Sequence, residues 1–146
     1  KSGQSVTSNQ ATIWRWREAF QHDFAARMDW CVMPRDKANH NPTLTLNGKS
    51  GKEPLYLEAR AGEPARLSAA GSSDSEGHKL TYKWFHYPEA GTLPSTLTID
   101  TPSATEIAFT APKVDQPRTA HIILQVTDDG TPRLYAYRRI VLTIKP

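Results

Sequence analysis

The sequence predicts a mainly β chain: an antiparallel β-sandwich of the immunoglobulin-like class, preceded by one amphipathic α-helix. The segment KLTYKWF, residues 79–85, places Tyr82 and Trp84 on one face of a strand. The segment HIILQVT, residues 121–127, places alternate aliphatic side chains on one face of another strand. An inward tryptophan opposite an aliphatic strand is typical of the centre of such a sandwich. Eleven Pro and eight Gly residues favour many turns over a helix bundle.

Short strand candidates follow one another from residue 43 to residue 144, and every connection between them contains Gly, Pro or Asp. The predicted strands are Thr43–Leu46, Leu55–Ala59, Ala65–Ser68, Leu80–His86, Leu97–Ile99, Glu106–Thr110, His121–Thr127 and Ala136–Ile144. We therefore assign residues 41–146 to the sandwich. Residues 1–40 are assigned to a polar lead, a helix and a hinge, which together form an inter-domain joint.

A helical period begins at Thr12, which is the predicted N-cap, and ends before Pro34. Large apolar residues at steps of three and four form the apolar stripe, which consists of Ile13, Trp16, Phe20, Phe24 and Met28. The other side of the helix carries charges of both signs, whereas a membrane-surface helix would present mainly Lys and Arg. An isolated helix of this length is marginally stable, so we expect it to pack against protein.

Two surfaces could bury this helix: the outer sheet of the sandwich, or another domain. Because Trp14 and Trp30 lie away from the centre of the apolar stripe, one surface cannot easily bury every large ring. We expect the helix to dock on one side and to stay bare on the other, with an exposed patch that includes Trp14, Arg15 or Arg17. The predicted inter-domain contact residues are Trp14, Trp16, Arg17, Phe20, Phe24 and Trp30.

The outer face of one sheet is predicted to be aromatic where polar residues are the rule. If Trp84 points into the core, the two-residue period of a strand turns Phe85 and Tyr87 outward. Flat aromatic faces bind sugars, because pyranose C–H groups stack on the rings, but the helix of the chain could cover the same surface. The candidate glycan-contacting residues are Phe85, Tyr87, Tyr135, Tyr137 and Arg139.

Two acidic turns are expected at one end of the sandwich, with Asp74 and Glu76 in the first and Asp128 and Asp129 in the second. Converging carboxylates could bind Ca²⁺, which takes about six to eight oxygen ligands. The same residues commonly form turns, and His78 stands where a further oxygen ligand would be needed. We therefore favour no metal site and no other cofactor, and we expect added Ca²⁺ to leave the melting temperature unchanged.

Composition and motifs argue against several other functions. The net charge of +3 and the pI near 9.1 arise from scattered basic residues, which disfavours nucleic-acid binding. No segment reaches the ~20 apolar residues of a spanning helix, so membrane insertion is not expected. The five histidines lack a zinc-ligand spacing, and there is no G-x-S-x-G motif. Cys31 is predicted to be a buried structural thiol. No catalytic residue is predicted.

The segments LSAAGSSDSEGHKLTYKWFHYP and HIILQVTDDGTPRLYAYRRIVLTI resemble the PKD and cadherin-like branch of immunoglobulin-type modules, over residues 62–146. Upstream, IWRWREAFQHDFAARMDWCV and ANHNPTLTLNG are similar to the C-terminal region of the bacterial cellulose-binding Sde182 family. In that family a nucleoside-hydrolase-like α/β domain is followed by this helix and sandwich. The resemblance implies that the chain, which starts at Lys1, is the C-terminal part of an exported protein (periplasmic, cell-surface or secreted). It also implies the N-terminal nucleoside-hydrolase-like domain as a partner, and polysaccharide as a further candidate.

Three functional hypotheses remain open at this point. In the first, the chain is a non-catalytic accessory domain of a carbohydrate-active, hydrolase-like protein, which packs against and orients the N-terminal domain and also contacts glycan. In the second, it is a genuine cellulose- or polysaccharide-binding module that uses its outward aromatic residues. In the third, the helix completes the active-site cleft of the parent hydrolase, which would make Trp16 or Arg17 important for activity.

Overall fold

The computed structural model describes residues 7, 8 and 10–146. One long helix, α1 (Ala11–Val32), precedes a β-sandwich, which confirms the predicted fold class. The strands are β1 (Thr45–Leu46), β2 (Lys49–Ser50), β3 (Leu55–Arg60), β4 (Pro64–Ser68), β5 (Thr81–His86), β6 (Glu106–Thr110), β7 (Arg118–Thr127) and β8 (Tyr135–Lys145). Short 3-10 turns at Arg35–Lys37 and Pro88–Ala90 follow α1 and β5.

A four-stranded sheet in the order β3-β8-β7-β5 packs against the β4-β6 pair and the small β1-β2 hairpin. All pairs are antiparallel except one, because β3 runs parallel to β8. In the register of β5 and β7, Trp84 lies opposite Leu124 and Phe85 lies opposite Ile123. Since successive side chains of a strand alternate between faces, Trp84 points to the core and Phe85 points outward.

The core lies between the sheets and is centred on Trp84, which is 1% exposed. Its indole Nε1 donates a hydrogen bond to the carbonyl oxygen of Ala104 at 2.8 Å, so the polar atom of the buried ring is satisfied. Aliphatic residues of β7 and β8, such as Leu124 and Ile140, pack around the ring. The predicted inward face of the strand with Trp84 is therefore confirmed.

The predicted strand Leu97–Ile99 is wrong, because these residues pair with no strand. Leu97 is nevertheless buried in the core. Its backbone N–H donates to His86 Nδ1 at 3.2 Å, where a strand would use a neighbouring carbonyl. The apolar residues that suggested a strand thus belong to a loop, which buries Leu97 in the core.

The first predicted strand, Thr43–Leu46, is shorter than expected, since Thr43 makes only an isolated bridge with Ser73 and Thr45–Leu46 alone pairs with a neighbouring strand. That neighbour is β2, which was not predicted. Asn47 and Gly48 join the two strands with positive φ angles of 49° and 74°. This is the Asn-Gly turn that favours a two-residue hairpin, so the connection held a signal for β2.

Helix α1 begins at Ala11 with Gln10 at its N-cap, so the predicted N-cap at Thr12 is wrong. The side chain of Gln10 makes no capping hydrogen bond, and Ala11 is a strong helix former, so the helix starts two residues earlier than expected. The helix ends at Val32, before the residue that precedes Pro34, as the steric restriction next to proline requires.

The segment after α1, predicted as a hinge, is anchored to the sandwich. Asn39 is 5% exposed, and its Nδ2 donates to Asp128 Oδ1 at 3.2 Å and to the carbonyl oxygen of Pro132 at 2.8 Å. These bonds hold the end of the helix near the turn between β7 and β8. The division into a joint and a sandwich near residue 41 stays a prediction.

Candidate functional site

Helix α1 lies across the outer face of the four-stranded sheet, and Trp16 is its main aromatic contact. The Trp16 ring lies 6.1 Å from the Phe85 ring and 5.1 Å from the Tyr137 ring, the second pair being edge-to-face. Aromatic pairs in this geometry add about 0.5–1.5 kcal/mol beyond the area that they bury. The helix of the chain therefore covers part of the aromatic sheet face.

Polar contacts fix the same helix along its length. Arg15 Nη2 lies 2.6 Å from Glu89 Oε1, and the Tyr135 hydroxyl donates to Glu18 Oε1 at 2.6 Å. The hydrogen bond from Arg15 holds the pKa of Glu89 below its usual value. Burial, together with the Glu18 carboxylate, raises the pKa of Tyr135 and raises that of Tyr137 to about 12. Both phenols are therefore neutral donors at physiological pH.

The C-terminal end of α1 is held by Trp30. Its Nε1 donates to the carbonyl oxygen of Asn39 at 2.7 Å, and its ring stacks on His40 at 5.3 Å with an interplanar angle of 7°. One turn earlier, Ala26 is 1% exposed, since its small side chain allows the helix to approach closely. The docked face of α1 is thus built from two tryptophans with small and polar residues between them.

A cleft of about 690 Å³ opens between α1 and the outer sheet face. Its volume is in the ordinary range for small-ligand sites. The cleft is lined by Trp16, Ala19, Phe20, Asp23, Lys52, Pro54, Tyr87, Ile123, Tyr135, Tyr137, Arg138 and Arg139. Aromatic rings thus form much of the wall, with carboxylate, ammonium and guanidinium groups among them.

The structure brings together four of the five candidate glycan residues, since Tyr87, Tyr135, Tyr137 and Arg139 all line this cleft. Phe85 lies under Trp16 instead. Sequence reasoning missed the helix side of the cleft, which includes Ala19 and Asp23, and it missed Lys52 and Pro54 in the connection before β3. Only the docking of α1 brings Ala19 and Asp23 to the sheet, and no local pattern in the sequence encodes that docking.

The apolar stripe does not dock as a unit. Trp16 faces the sheet, but the other four members are exposed: Ile13 56%, Phe20 49%, Phe24 64% and Met28 49%. We call these four residues the exposed stripe. Trp14 is also 47% exposed, and Arg17 is exposed, whereas Trp30 is half-buried. Of the six predicted contact residues, Trp16 and Trp30 are therefore half-buried, and the other four are exposed.

Within this chain, α1 is therefore docked on one side and exposed on the other, and the four members of the exposed stripe lie outside the docked side. The reason is geometric. The opposite side of α1 offers Ala19 and Ala26, whose short side chains let the backbone approach the sheet, while the phenylalanines would hold it away. Cys31 is exposed as well, so its prediction as a buried thiol is wrong.

The two acidic turns do not form one cluster. Asp128 Oδ1 accepts hydrogen bonds from Gly130 and Leu134 backbone N–H groups, in addition to the one from Asn39. Asp129 Oδ1 accepts from the Lys79 N–H at 2.9 Å. Both residues thus organise turns.

The first turn differs from the second. Asp74 and Glu76 have His78 beside them, and ligand atoms of these three side chains lie within 4.8 Å of one another. In the sequence, His78 stood where a further oxygen ligand was expected and so counted against a Ca²⁺ site. Its alternation with Asp74 and Glu76 was the signal that could have grouped it with them.

The family model of the C-terminal domain of cellulose-binding protein Sde0182 matches residues 65–144, which is more than half of the chain. The chain belongs to this family. The Sde0182 C-terminal domain was the family inferred from the sequence, and that inference is confirmed. No curated protein matches the chain significantly. Among the described residues, no helix has the length and apolar character needed to cross a membrane.

A solved structure extends the match to the helix. It is a nucleoside hydrolase-related hypothetical protein from Saccharophagus degradans, described as associated with carbohydrate metabolism. It is 38% identical, with a TM-score of 0.90 over 95% of this chain and 34% of that protein. Since the unmatched 5% amounts to about seven residues, most of the 22-residue α1 lies within the matched region. The chain spans about a third of that protein.

Two other solved structures are much less similar. A 2,6-sialyltransferase from Photobacterium sp. JT-ISH-224 is 10% identical, with a TM-score of 0.48 over 64% of this chain and 18% of that one. The PKD domain of the KIAA 1837 protein is 17% identical, with a TM-score of 0.42 over 65% of this chain and 83% of that one. Likenesses of this size carry no information about function.

Proposed function

We propose that the chain is a non-catalytic accessory domain of an exported, carbohydrate-active protein, and that α1 docks it onto a nucleoside-hydrolase-related domain of the same polypeptide. The observation that carries this proposal is the exposed stripe. Four large apolar side chains of α1 stay exposed beside the face that packs on the sheet, and one of them, Phe20, also lines the edge of the cleft. A run of exposed apolar residues of this extent is typical of an interaction surface.

The nucleoside-hydrolase-related domain is the proposed occupant because of the Saccharophagus degradans relative. The chain corresponds to about a third of that protein, and α1 lies within the matched region. A helix whose two sides serve two domains would fix their relative orientation. Complete burial of a phenylalanine-sized side chain contributes about 1.5–3 kcal/mol, so half-exposed Phe20 and Phe24 would each supply about half of that on docking.

The proposal is tested by titrating this chain against the separately produced nucleoside-hydrolase-related domain in a calorimeter. We expect binding, and we expect the double variant Phe20→Gln/Phe24→Gln to weaken it at least about tenfold, which corresponds to about 1.4 kcal/mol. Gln keeps a good helix propensity. The matched control is Tyr56→Gln, since Tyr56 is an aromatic residue of β3 that is 73% exposed. Absence of binding, or equal losses in both variants, would contradict the proposal.

Glycan contact in the helix–sheet cleft is a second candidate function, favoured by the composition of the cleft wall. Tyr87 and Tyr137 place aromatic rings in the wall, although Arg15 lies over the Tyr87 ring and Trp16 contacts Tyr137. Asp23 and Arg139 offer hydrogen bonds to hydroxyl groups. The family description names a cellulose-binding protein. Phe20 belongs both to the cleft wall and to the exposed stripe, so glycan contact and domain docking would meet at this residue.

Co-sedimentation with insoluble cellulose tests this second function. We expect Tyr87→Ala and Arg139→Ala to release the chain from the pellet, and Tyr56→Ala to leave binding unchanged. If the wild-type chain stays in the supernatant, or if Tyr56→Ala releases it equally, the cleft is not a cellulose site.

A further inference from the structure

The turn between β4 and β5 gathers three side chains with metal-binding atoms. Asp74, Glu76 and His78 alternate along the chain, and their ligand atoms lie within 4.8 Å of one another. The turn is shaped by Asp74 itself, whose Oδ1 accepts the backbone N–H of Glu76 at 2.9 Å and of His78 at 3.0 Å. These bonds wrap the loop around the carboxylate and bring the later two side chains back towards it.

Two polar atoms of this turn are buried without a hydrogen-bond partner among the described residues: Asp74 Oδ2 and His78 Nδ1. The Asp74 side chain is 1% exposed. His78 Nδ1 lies 3.3 Å from Asp74 Oδ1, which is ion-pair distance, but the contact lacks the geometry of a hydrogen bond. Buried polar atoms are nearly always satisfied, and a bound ion is one of the ordinary explanations for an exception. Asp74 Oδ2 and His78 Nδ1 are two such unsatisfied atoms, and both are of a kind that binds metal ions.

Glu76 supplies a third ligand that is already oriented. Its Oε2 accepts the backbone N–H of His40 at 3.2 Å, and its Oε1 lies 2.9 Å from His40 Nδ1 and accepts the Ser75 hydroxyl. Burial alone would raise the pKa of Glu76, but the hydrogen bonds from Ser75 and His40 outweigh it and lower the pKa. The carboxylate is therefore ionised at neutral pH. Outer partners of this kind hold metal ligands in place.

We propose that Asp74, Glu76 and His78 bind a divalent transition-metal ion of the zinc class, with water at the fourth position. An imidazole nitrogen with two carboxylate oxygens suits such an ion. Ca²⁺ prefers about six to eight oxygen ligands, and this turn offers a nitrogen in place of one of them. Because Glu76 holds His40, and His40 stacks on Trp30 of α1, the metal would tie the turn to the end of the helix.

The test measures thermal unfolding and calorimetric binding of ZnCl₂ with the whole chain. Asp74→Asn keeps the Oδ1 acceptor that shapes the turn but removes the carboxylate charge, and His78→Gln removes the nitrogen ligand. We expect Zn²⁺ to raise the melting temperature of the wild type by mass action. Both variants should bind Zn²⁺ at least about tenfold more weakly. His22→Gln, which removes a histidine from α1, is the control and should respond as the wild type does.

Three outcomes would overturn the proposal. The first is a wild-type melting temperature that Zn²⁺ leaves unchanged. The second is an undiminished response in His78→Gln, which means an adventitious ion on another histidine. The third is an equal response to Ca²⁺. Circular dichroism establishes that each variant is folded, and Glu76→Gln replaces Asp74→Asn if the latter is not.

Discussion

Among the described residues, Trp84 is the largest side chain that is fully buried in the core of the sandwich. Its ring fills the centre of the core, and its Nε1 hydrogen bond leaves no polar atom unsatisfied. We expect Trp84→Ala to cost about 3–5 kcal/mol, as other deletions of large buried aromatic side chains do. Chemical denaturation measures this loss, and Trp84→Phe should cost less because it keeps a ring in the core. Near-normal stability of Trp84→Ala would show that the register of β5 differs from the one described.

His86 makes the sandwich sensitive to acid. Burial lowers the pKa of His86 below its ordinary value of 6.5, and burial also lowers that of His121. His86 Nδ1 must stay unprotonated to accept the Leu97 N–H. A group whose folded pKa is depressed contributes stability above its unfolded pKa, and this stability is lost as pH falls through the folded value. We therefore expect the melting temperature to fall as pH is lowered from about 7.5 to about 5.

The matched experiment compares His86→Gln with the wild type over the same pH range by calorimetry. Gln offers an acceptor to Leu97 but does not titrate, so the variant should lose less stability in acid. Tyr56→Gln, on the edge strand β3 at the other side of the sheet from His86 on β5, should keep the wild-type slope. Identical slopes for His86→Gln and the wild type would assign the acid sensitivity to other groups.

At the scale of elements, α1 is held on the sandwich by Trp16 and Trp30 more than by the exposed stripe. Trp16 packs on Phe85 and Tyr137, whereas Phe24 is 64% exposed. We expect Trp16→Ala to cost about 2–3 kcal/mol, less than a fully buried tryptophan, and to speed hydrogen exchange throughout α1. Phe24→Ala should change stability by less than about 0.5 kcal/mol. If the two substitutions have equal effects on the isolated chain, the described docking of α1 is wrong.

The elements themselves were largely predictable from the sequence. The alternation of apolar side chains along the strands that carry Trp84 and Leu124 predicted the core, and the helical period of apolar residues predicted α1. Both signals are local in the sequence. The docked face of α1 was not predictable, since hydrophobicity favours the side with Phe20 and Phe24. Which face of α1 docks depends on how closely the backbone can approach the sheet, and Ala19 and Ala26 allow a close approach. No local sequence pattern describes the shape of that sheet.

At the scale of the whole molecule, the aromatic sheet residues of the candidate site were predictable because the two-residue period places them outward. The helix residues that complete the cleft were not, because residues such as Asp23 and Tyr87 meet only in the tertiary structure. The same limit applies to the turn that holds Asp74 and His78. Its backbone hydrogen bonds decide which side chains converge, and the pairing with the second acidic turn was therefore wrong.

In the full-length protein, we expect another domain to cover the exposed stripe of α1. Hydroxyl-radical footprinting measures this directly by comparing the isolated chain with the chain joined to the nucleoside-hydrolase-related domain in one polypeptide. We predict strong protection of Phe20, Phe24 and Met28 in the joined protein, with unchanged labelling of Tyr56. Equal labelling of the three stripe residues in both proteins would contradict the account.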